Sequence, residues 1–417
     1  MRPRPALVLT ALLLVTVALA GSVASTASSF NGVTTNPTSN FTAAASFGCT
    51  PPTVNPVWMT GFEHGVNSAA TGSGLLDIDW NSSVTITTDT AVKRNGSYAL
   101  KIAKTSTSFT GGRSRSVASS MVVFRIAFRL GALPSGDVQN IMGIWSSNGN
   151  ELNIGYNSAS QKLSVGFASG TQRLSASTLS ANTWYLLDVR ANYGANPHTA
   201  DWQLNGVAQT QATKAVAAET PTEVWLGPDE VDAVVTVWYD DLVISQTSSD
   251  YPIGDGKVLG LVPDAMGTSN DPSSRLSTES GAWGSTTWNK LDEVPMTSTA
   301  DYVRQTAVDA SAYLETTFAN TTETCINAVM GELAYHAAST SGNNSKTSLF
   351  ESGTERVVYS GTMSTTTLSY RSAIIAPAAG TWSQSKVNGL TARIGYTSAM
   401  LGQPYWDALM VEYNVDL

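Results

Sequence analysis

Short runs of alternating apolar and polar residues fill the chain between Val57 and Ser245. Clear examples are 83–87, 98–102, 122–128 and 184–189. A period of two residues indicates a half-buried strand. Turn dipeptides such as Asn95-Gly96 and Asn205-Gly206 separate the runs, and 201–207 has the pattern of a hairpin. This pattern predicts an antiparallel sandwich or barrel over residues 55–249.

A second β pattern extends from Trp283 to Leu417. Its clearest strands are 313–318, 355–359 and 408–413. The apolar run 325–338 fits a helix or a core strand, and the surrounding strands favour the strand. A Gly-, Pro- and Asp-rich stretch without apolar periodicity separates the two patterns and predicts a linker over residues 250–282.

The two patterns close with similar sequences. Residues 239–244 read Tyr-Asp-Asp-Leu-Val-Ile, and residues 406–411 read Trp-Asp-Ala-Leu-Met-Val. Related closing strands favour two sandwiches over one large fold. We therefore predict an all-β chain with two antiparallel β-sandwich (jelly-roll) domains in tandem, at 55–249 and 283–417.

The N-terminus predicts export. Arg2 and Arg4 precede an apolar run from Ala6 to Ala20, followed by Gly21. A basic start, a short apolar core and small residues are typical of a secretory signal peptide, placed here at residues 1–27. An uncleaved anchor helix is the alternative. No later stretch is apolar for 18 residues, so we expect no integral membrane span after cleavage and a secreted or extracellular-surface location.

Composition excludes several functional classes. The 417 residues include 23 Lys and Arg against 32 Asp and Glu, a net charge of −9. No basic surplus is available to displace phosphate counterions, so nucleic acid is not an expected partner. Three histidines and two cysteines leave little material for transition-metal or thiol chemistry. Export permits a Cys49–Cys325 disulfide, but two unpaired cysteines fit the sequence equally well.

The segment 28–54 is rich in Ser and Thr. Ser29-Phe30 and Asn40-Phe41-Thr42-Ala43 resemble the mature start of exported proteins with TasA-type signal peptides. This resemblance implies self-assembly through a strand donated between subunits. A Ser/Thr-rich linker that clears the membrane is the simpler interpretation.

Both β patterns resemble known families. The first is similar to concanavalin A-like lectin or LamG-type jelly rolls at Gly61-Phe62-Glu63, 94–100, 184–189 and 238–242. The second resembles a domain of virion tail and appendage proteins at 288–295, 301–303 and 406–412. The resemblances imply surface adhesion, glycan binding or assembly into an appendage.

The first resemblance also implies a structural Ca²⁺. In related modules a Glu after the initial Phe, a backbone carbonyl near the Gly-Ser-Tyr turn and the first Asp of the closing strand hold the ion. The matching positions are Glu63, Gly96 or Ser97, and Asp240. Strand alternation places Asp240 on the face of Leu242 and Ile244, where a buried carboxylate needs a cation or several donors. An arginine or backbone N–H groups are the alternative partners.

Catalysis is not expected. Endoglucanases on this fold place three carboxylates on one strand face as Glu-x-Asp-x-x-Glu. Glu230-Val231-Asp232 comes closest, but the third carboxylate is missing. A secreted glycoside hydrolase is therefore the alternative function.

Glycan binding needs fewer residues, because an exposed aromatic ring and a few polar groups can hold a sugar. Of the tryptophans in the first domain, Trp145 meets the polar turn Ser146-Ser147-Asn148-Gly149 and is the best candidate for an exposed ligand-binding ring. We predict a non-catalytic, exported surface or appendage protein whose partner is a polysaccharide or cell-surface glycan.

Overall fold

The computed structural model describes residues 54–66, 75–76, 78–79, 84–107, 111–228, 233–268, 276–279, 284–340, 342–363 and 365–417. All of them belong to one compact unit, Pro51–Leu417. The predicted signal peptide, nearly all of the segment 28–54 and Cys49 lie outside the described residues. Cys325 is disulfide-bonded.

Two antiparallel sheets form the first sandwich. Sheet A contains β1 (Pro56–Thr60), β3 (Thr85–Asp89), β4 (Ala99–Lys104), β6 (Met121–Leu130), β11 (Trp184–Asn192), β12 (His198–Leu204), β13 (Val207–Ala208), β14 (Ala212–Lys214) and β16 (Val235–Ser245). Its strand order is β13-β12-β11-β6-β16-β4-β3, and in addition β1 pairs with β16 and β14 pairs with β12. Sheet B contains β2 (Ile78–Asp79), β5 (Arg113–Ser116), β7 (Val138–Trp145), β8 (Leu152–Asn157), β9 (Lys162–Phe167), β10 (Arg173–Thr178) and β15 (Glu223–Leu226). Its strand order is β10-β9-β8-β7-β15-β5-β2.

Alternation along these strands fills the space between sheets A and B. Leu187 and Val189 of β11 are fully buried, and so are Ile154 of β8 and Val165 of β9. All four belong to one apolar cluster that draws on both sheets. Side chains with the opposite parity in sheet B therefore point to its outer face.

Two further sheets form the second sandwich. Sheet C contains β17 (Gly256–Leu261), β19 (Leu276–Thr278), β20 (Val303–Gln305), β22 (Ile326–Ala337), β25 (Ser369–Ile375) and β27 (Pro404–Asp416). Its strand order is β19-β20-β27-β22-β25, and in addition β17 pairs with β27. Sheet D contains β18 (Pro263–Met266), β21 (Asp309–Phe318), β23 (Asn343–Glu351), β24 (Thr354–Met363) and β26 (Leu390–Met400). Its strand order is β18-β21-β26-β23-β24. The described helices are two 3-10 turns, Ser248–Asp250 and Thr287–Lys290, and one short helix, α1 (Gln384–Asn388).

The outer face of sheet C packs against the first sandwich. Ala328 and Met330 of β22 belong to the first sandwich's apolar cluster. Arg125, fully buried in β6, donates to Asn414 of β27 at 2.6 Å. Trp58 of β1 donates through its indole N–H to the Ser372 hydroxyl of β25 at 3.2 Å. Apolar and polar contacts therefore both join the two sandwiches.

The prediction of an all-β chain with tandem antiparallel sandwiches is confirmed. The segment 250–282, for which the sequence predicts a linker, supplies β17, β18 and β19 to sheets C and D. β17 pairs with the closing strand β27 from Gly256↔Asp416 to Leu261↔Val411. In the described part of the chain, none of the helices has the length and apolar character needed to cross a membrane.

Candidate functional site

Trp145 lies at the end of β7 on the outer face of sheet B. Met142 and Ile144 of this strand are fully buried in the core, so Gly143 and Trp145 point the other way. Trp145 is 39% exposed, more than any other aromatic residue in the described part of the chain. The predicted exposure of Trp145 is confirmed.

Cross-strand pairing places polar residues on both sides of Trp145. Glu223 of β15 pairs with Trp145, and on its other side with Ser116 of β5. On the β8 side the pairing ends at Ile144↔Leu152, and Glu151, the residue before β8, is the next one along towards Trp145. The Glu151 carbonyl accepts from the Ala168 N–H at 2.8 Å, which keeps this residue in the ladder with β9. We call Ser116, Glu223, Trp145 and Glu151 the Trp145 row.

The neighbouring row of the same face is closed. Trp225 of β15 pairs with Gly143, and its side chain is only 1% exposed. A Cβ atom added to Gly143 would lie 2.9 Å from Cζ2 of the Trp225 indole, so this ring packs directly over the glycine. In contrast, Ser116 is exposed and both glutamates of the Trp145 row are partly exposed. The Trp145 row is therefore open where the neighbouring row is closed.

The loop that follows Trp145 is polar and ordered by side-chain hydrogen bonds. Asn148 and Asn150 donate through their amides to Glu219 at 2.7 and 3.2 Å. The Lys214 ammonium donates to the Gly149 and Ala168 carbonyls. These contacts order the loop that adjoins the ring.

The four residues predicted to hold calcium lie together in the first sandwich. The Ser97 N–H donates to both Glu63 carboxylate oxygens, at 3.0 and 2.8 Å. Gly96 has φ +59°, and a Cβ there would lie 1.8 Å from Oε1 of Glu63, so the loop admits only glycine at this position. Asp240 accepts from the N–H groups of Arg94 and Asn95 at 2.8 and 3.2 Å. Ser97 thus contacts Glu63 through its N–H rather than through its carbonyl.

A β-bulge changes the expected orientation of the closing strand. The register of β16 against β6 shifts between Asp240 and Val243, and Asp241 has φ +55°. Both aspartates are consequently fully buried, whereas simple alternation would bury only one. Asp241 accepts from the Arg94 guanidinium at 2.7 Å and from the Val258 N–H at 2.7 Å.

Negative charge is concentrated at this loop. Burial raises the pKa of Glu63 to about 7 against the hydrogen bond from Ser97. Burial, and then the neighbouring Asp241 charge, raise the pKa of Asp240 well above its usual range. Arg94 pairs with Asp241, so a cation between Glu63 and Asp240 would relieve the remaining repulsion.

The donor set fits a hard cation only in part. Within the described ranges, no three His, Cys, Asp or Glu side chains are arranged as a metal site. Calcium at this loop would therefore be held by the two carboxylates of Glu63 and Asp240, with backbone or hydroxyl oxygens of Gly96 and Ser97 completing the shell.

Sequence reasoning missed two glutamates next to this loop. Oε1 of Glu412 accepts from the N–H groups of Gly61 and Glu63, both at 3.1 Å. Glu332 lies diagonally across from Glu412 on the outer face of sheet C, and neither glutamate is accessible to solvent. Glu332 is the one acidic residue of β22, and Glu412 lies between the apolar residues Val411 and Tyr413 of β27, which is a signal in the sequence that something charged is buried there.

Comparisons with known proteins give the following findings. No family model matches the sequence, and no curated protein sequence matches it. Among solved structures, the cellulose-induced protein Cip1 is 18% identical, with a TM-score of 0.35 over 46% of this chain and 97% of that one. Domain 4 of AbnA, a GH43 extracellular arabinanase from Geobacillus stearothermophilus in complex with arabinotriose, is 13% identical, with a TM-score of 0.34 over 46% and 95%. The catalytic domain of a glycoside hydrolase family 131 protein from Coprinopsis cinerea is 15% identical, with a TM-score of 0.34 over 46% and 94%.

Proposed function

We propose that this protein is an exported, non-catalytic glycan-binding protein of a cell or particle surface, and that a sugar ring stacks on Trp145. The observation that carries the proposal is the 39% exposure of Trp145 on the outer face of a sheet whose other described tryptophan, Trp225, is buried. A large apolar ring exposed among polar groups is costly in water and is typical of a binding site.

The surroundings of the ring support a carbohydrate ligand. Carboxylates of Glu223 and Glu151 flank it, and amides of Asn148 and Asn150 lie in the adjoining loop. Sugars present an apolar face and a rim of hydroxyls, so a stacking ring with hydrogen-bonding groups at its edges is complementary to them.

Binding to insoluble and immobilised polysaccharides tests the proposal. The wild-type protein should be retained by at least one polysaccharide, and Trp145→Ala should lose retention while keeping its thermal stability. Val207→Ala, which truncates another exposed side chain of the first sandwich, should bind as wild type. Equal retention of wild type and Trp145→Ala would contradict this site.

The non-catalytic assignment rests on the spacing of carboxylates. Glu223 and Glu151 lie two strands apart, about 10 Å between Cβ atoms, with the Trp145 ring between them. Retaining hydrolysis needs carboxyl groups about 5 Å apart, and inverting hydrolysis needs about 6.5–9.5 Å with space for a water between them, which the Trp145 ring fills here. Glu230 and Asp232 lie outside the described residues. Reducing-sugar release that Glu230→Gln abolishes would instead favour the alternative, a secreted glycoside hydrolase.

The finer role that we propose is structural, as a subunit of a fibre or a virion tail-like appendage that presents the glycan site. The sequence resemblances at 28–54 and 288–295 motivate it. Electron micrographs of the purified protein should show filaments or particle-bound protein. A strictly monomeric protein in culture supernatant would contradict the appendage role but would leave glycan binding intact.

We further propose that a structural Ca²⁺ is bound at Glu63, Gly96, Ser97 and Asp240. The ion would neutralise two buried carboxylates and fix the loop 94–98 against the closing strand β16. Such an ion stabilises the fold and takes no part in ligand chemistry.

A further inference from the structure

The Trp145 row carries charge of one sign. Neither Glu223 nor Glu151 takes part in an ion pair with a described residue, and both are partly exposed. Glu219 lies below the adjoining loop, where its side chain is 7% exposed and accepts from Asn148 and Asn150. The surface around the exposed ring is therefore acidic.

One described ammonium group, that of Lys214, lies at the end of this surface and keeps its positive charge. The Lys214 ammonium donates to the carbonyls of Gly149 and Ala168. It therefore braces the backbone beside Glu151 rather than pairing with a carboxylate of the row. A ligand with its own carboxylate or sulfate would meet repulsion from two sides, with no free ammonium or guanidinium in the row to offset it.

A cationic ligand would meet three favourable groups at once. Directly paired residues on a sheet face have Cβ atoms about 5 Å apart, so the carboxylate of Glu223 stands beside the indole, and Glu151 adjoins it on the side of β8. An ammonium within about 6 Å of the Trp145 ring centre also gains from the negative potential over its face. The same ring stacks with the apolar face of the sugar that carries the ammonium.

We infer that the Trp145 row recognises a polysaccharide with free amino groups, such as a polymer of 2-amino-2-deoxy sugars that lack the N-acetyl group. This inference rests on the proposed glycan binding and specifies its ligand class. Glu223 and Glu151 select for the amine, while Trp145 supplies the stacking surface. Neutral glycans bind more weakly, and uronate polymers bind least.

The test compares matched hexamers of glucosamine, N-acetylglucosamine and galacturonate by calorimetric titration, at a pH where amines and carboxylates are both charged. We expect the glucosamine hexamer to bind about three- to tenfold more tightly than the N-acetylated one, the size expected from two exposed ion pairs. Raising the salt concentration should reduce that preference.

Variants separate charge from stacking. Glu223→Gln and Glu151→Gln should each reduce the preference for the amine, and the double variant should bind both hexamers equally. Glu355→Gln, which removes a carboxylate of the second sandwich, should keep the wild-type preference.

The outcomes distinguish the two claims. Binding of the N-acetylated hexamer that Trp145→Ala abolishes, with no preference for the amine, would overturn the ligand class but support glycan binding. Equal or tighter binding of the galacturonate hexamer would likewise overturn the ligand class. Absence of binding to every glycan would overturn both claims.

Discussion

At the scale of single residues, strand alternation predicts the exposure of Trp145 correctly but does not predict that Asp240 and Asp241 are both buried. Both parity and the polar turn after Trp145 indicate an exposed ring, because no bulge interrupts β7 between Met142 and Trp145. At Asp240 the bulge and the positive φ of Asp241 bury two consecutive carboxylates. The alternation of apolar and polar residues cannot reveal this bulge, because the residue types do not show where an extra residue is inserted into a strand.

The calcium proposal leads to a prediction at Asp240. Chelator should lower the melting temperature of the wild-type protein, because an ion that binds only the folded state stabilises it by mass action. Asp240→Ala should remove this sensitivity, whereas Asp201→Ala, at a partly exposed carboxylate on β12, should keep it. Melting of the wild type that does not respond to chelator, together with no calcium by elemental analysis, would contradict the site.

Gly143 allows the prediction of a steric effect under Trp225. A Cβ at this position would lie 2.2 Å from the Leu152 carbonyl oxygen and 2.9 Å from the indole, so Gly143→Ala must displace backbone or ring. We expect a loss of about 1–3 kcal/mol in the free energy of unfolding, measured by denaturant titration. Gly284→Ala, with nothing within 4 Å of the added Cβ, should change it little. Equal stability of the two variants would contradict the packing described.

At the scale of elements, strands with clear alternation are predicted well. The run 184–189 falls within β11, and 201–207 forms the hairpin of β12 and β13 around Asn205 and Gly206, both with positive φ. The run 325–338 is the strand β22 rather than a helix. In contrast, β17 and β18 are missed because Gly256, Gly260 and Pro263 interrupt the apolar pattern, and pairing with distant strands supplies what local sequence lacks.

Limited proteolysis checks the role of β17. Trypsin should cleave after Lys93, in an exposed turn, well before it cleaves after Lys257, which lies in β17 and pairs with Glu323 at 2.7 Å. Cleavage in a paired strand requires local opening, so its rate follows the small open population. Early cleavage after Lys257 that releases two stable fragments would support a linker there instead.

At the scale of the whole molecule, two buried glutamates, Glu332 and Glu412, lie where the two sandwiches meet. Both Glu332 oxygens and Oε2 of Glu412 have no hydrogen-bond partner in the described part of the chain. Burial, with a contribution from the Glu63 charge, raises the pKa of Glu332 to about 8. Glu332 and Glu412 are 80 residues apart in the sequence. They come together because β22 pairs with β27, and the sequence does not reveal that pairing.

This cluster predicts a loss of stability as the pH rises from about 4.5 to 8. The pKa of Glu332 rises from 4.5 to about 8 on folding, so the folded state keeps a proton that the unfolded chain releases. The stability from that proton is complete below about pH 4.5, falls by about 1.4 kcal/mol per pH unit as the pH rises from about 4.5 to 8, and falls no further above about pH 8. Glu332→Gln should flatten this dependence, whereas Glu355→Gln should not. Parallel pH profiles of wild type and Glu332→Gln would contradict the assignment.

The central claim is that Trp145 on the outer face of sheet B binds a glycan, and one measurement tests it most directly. Wild type and Trp145→Ala are titrated side by side by calorimetry with the oligosaccharide that the wild type retains best. Loss of the stacking surface should weaken binding by about 1–3 kcal/mol, or roughly five- to 150-fold, with unchanged melting temperature. The same affinity for both proteins would contradict the account.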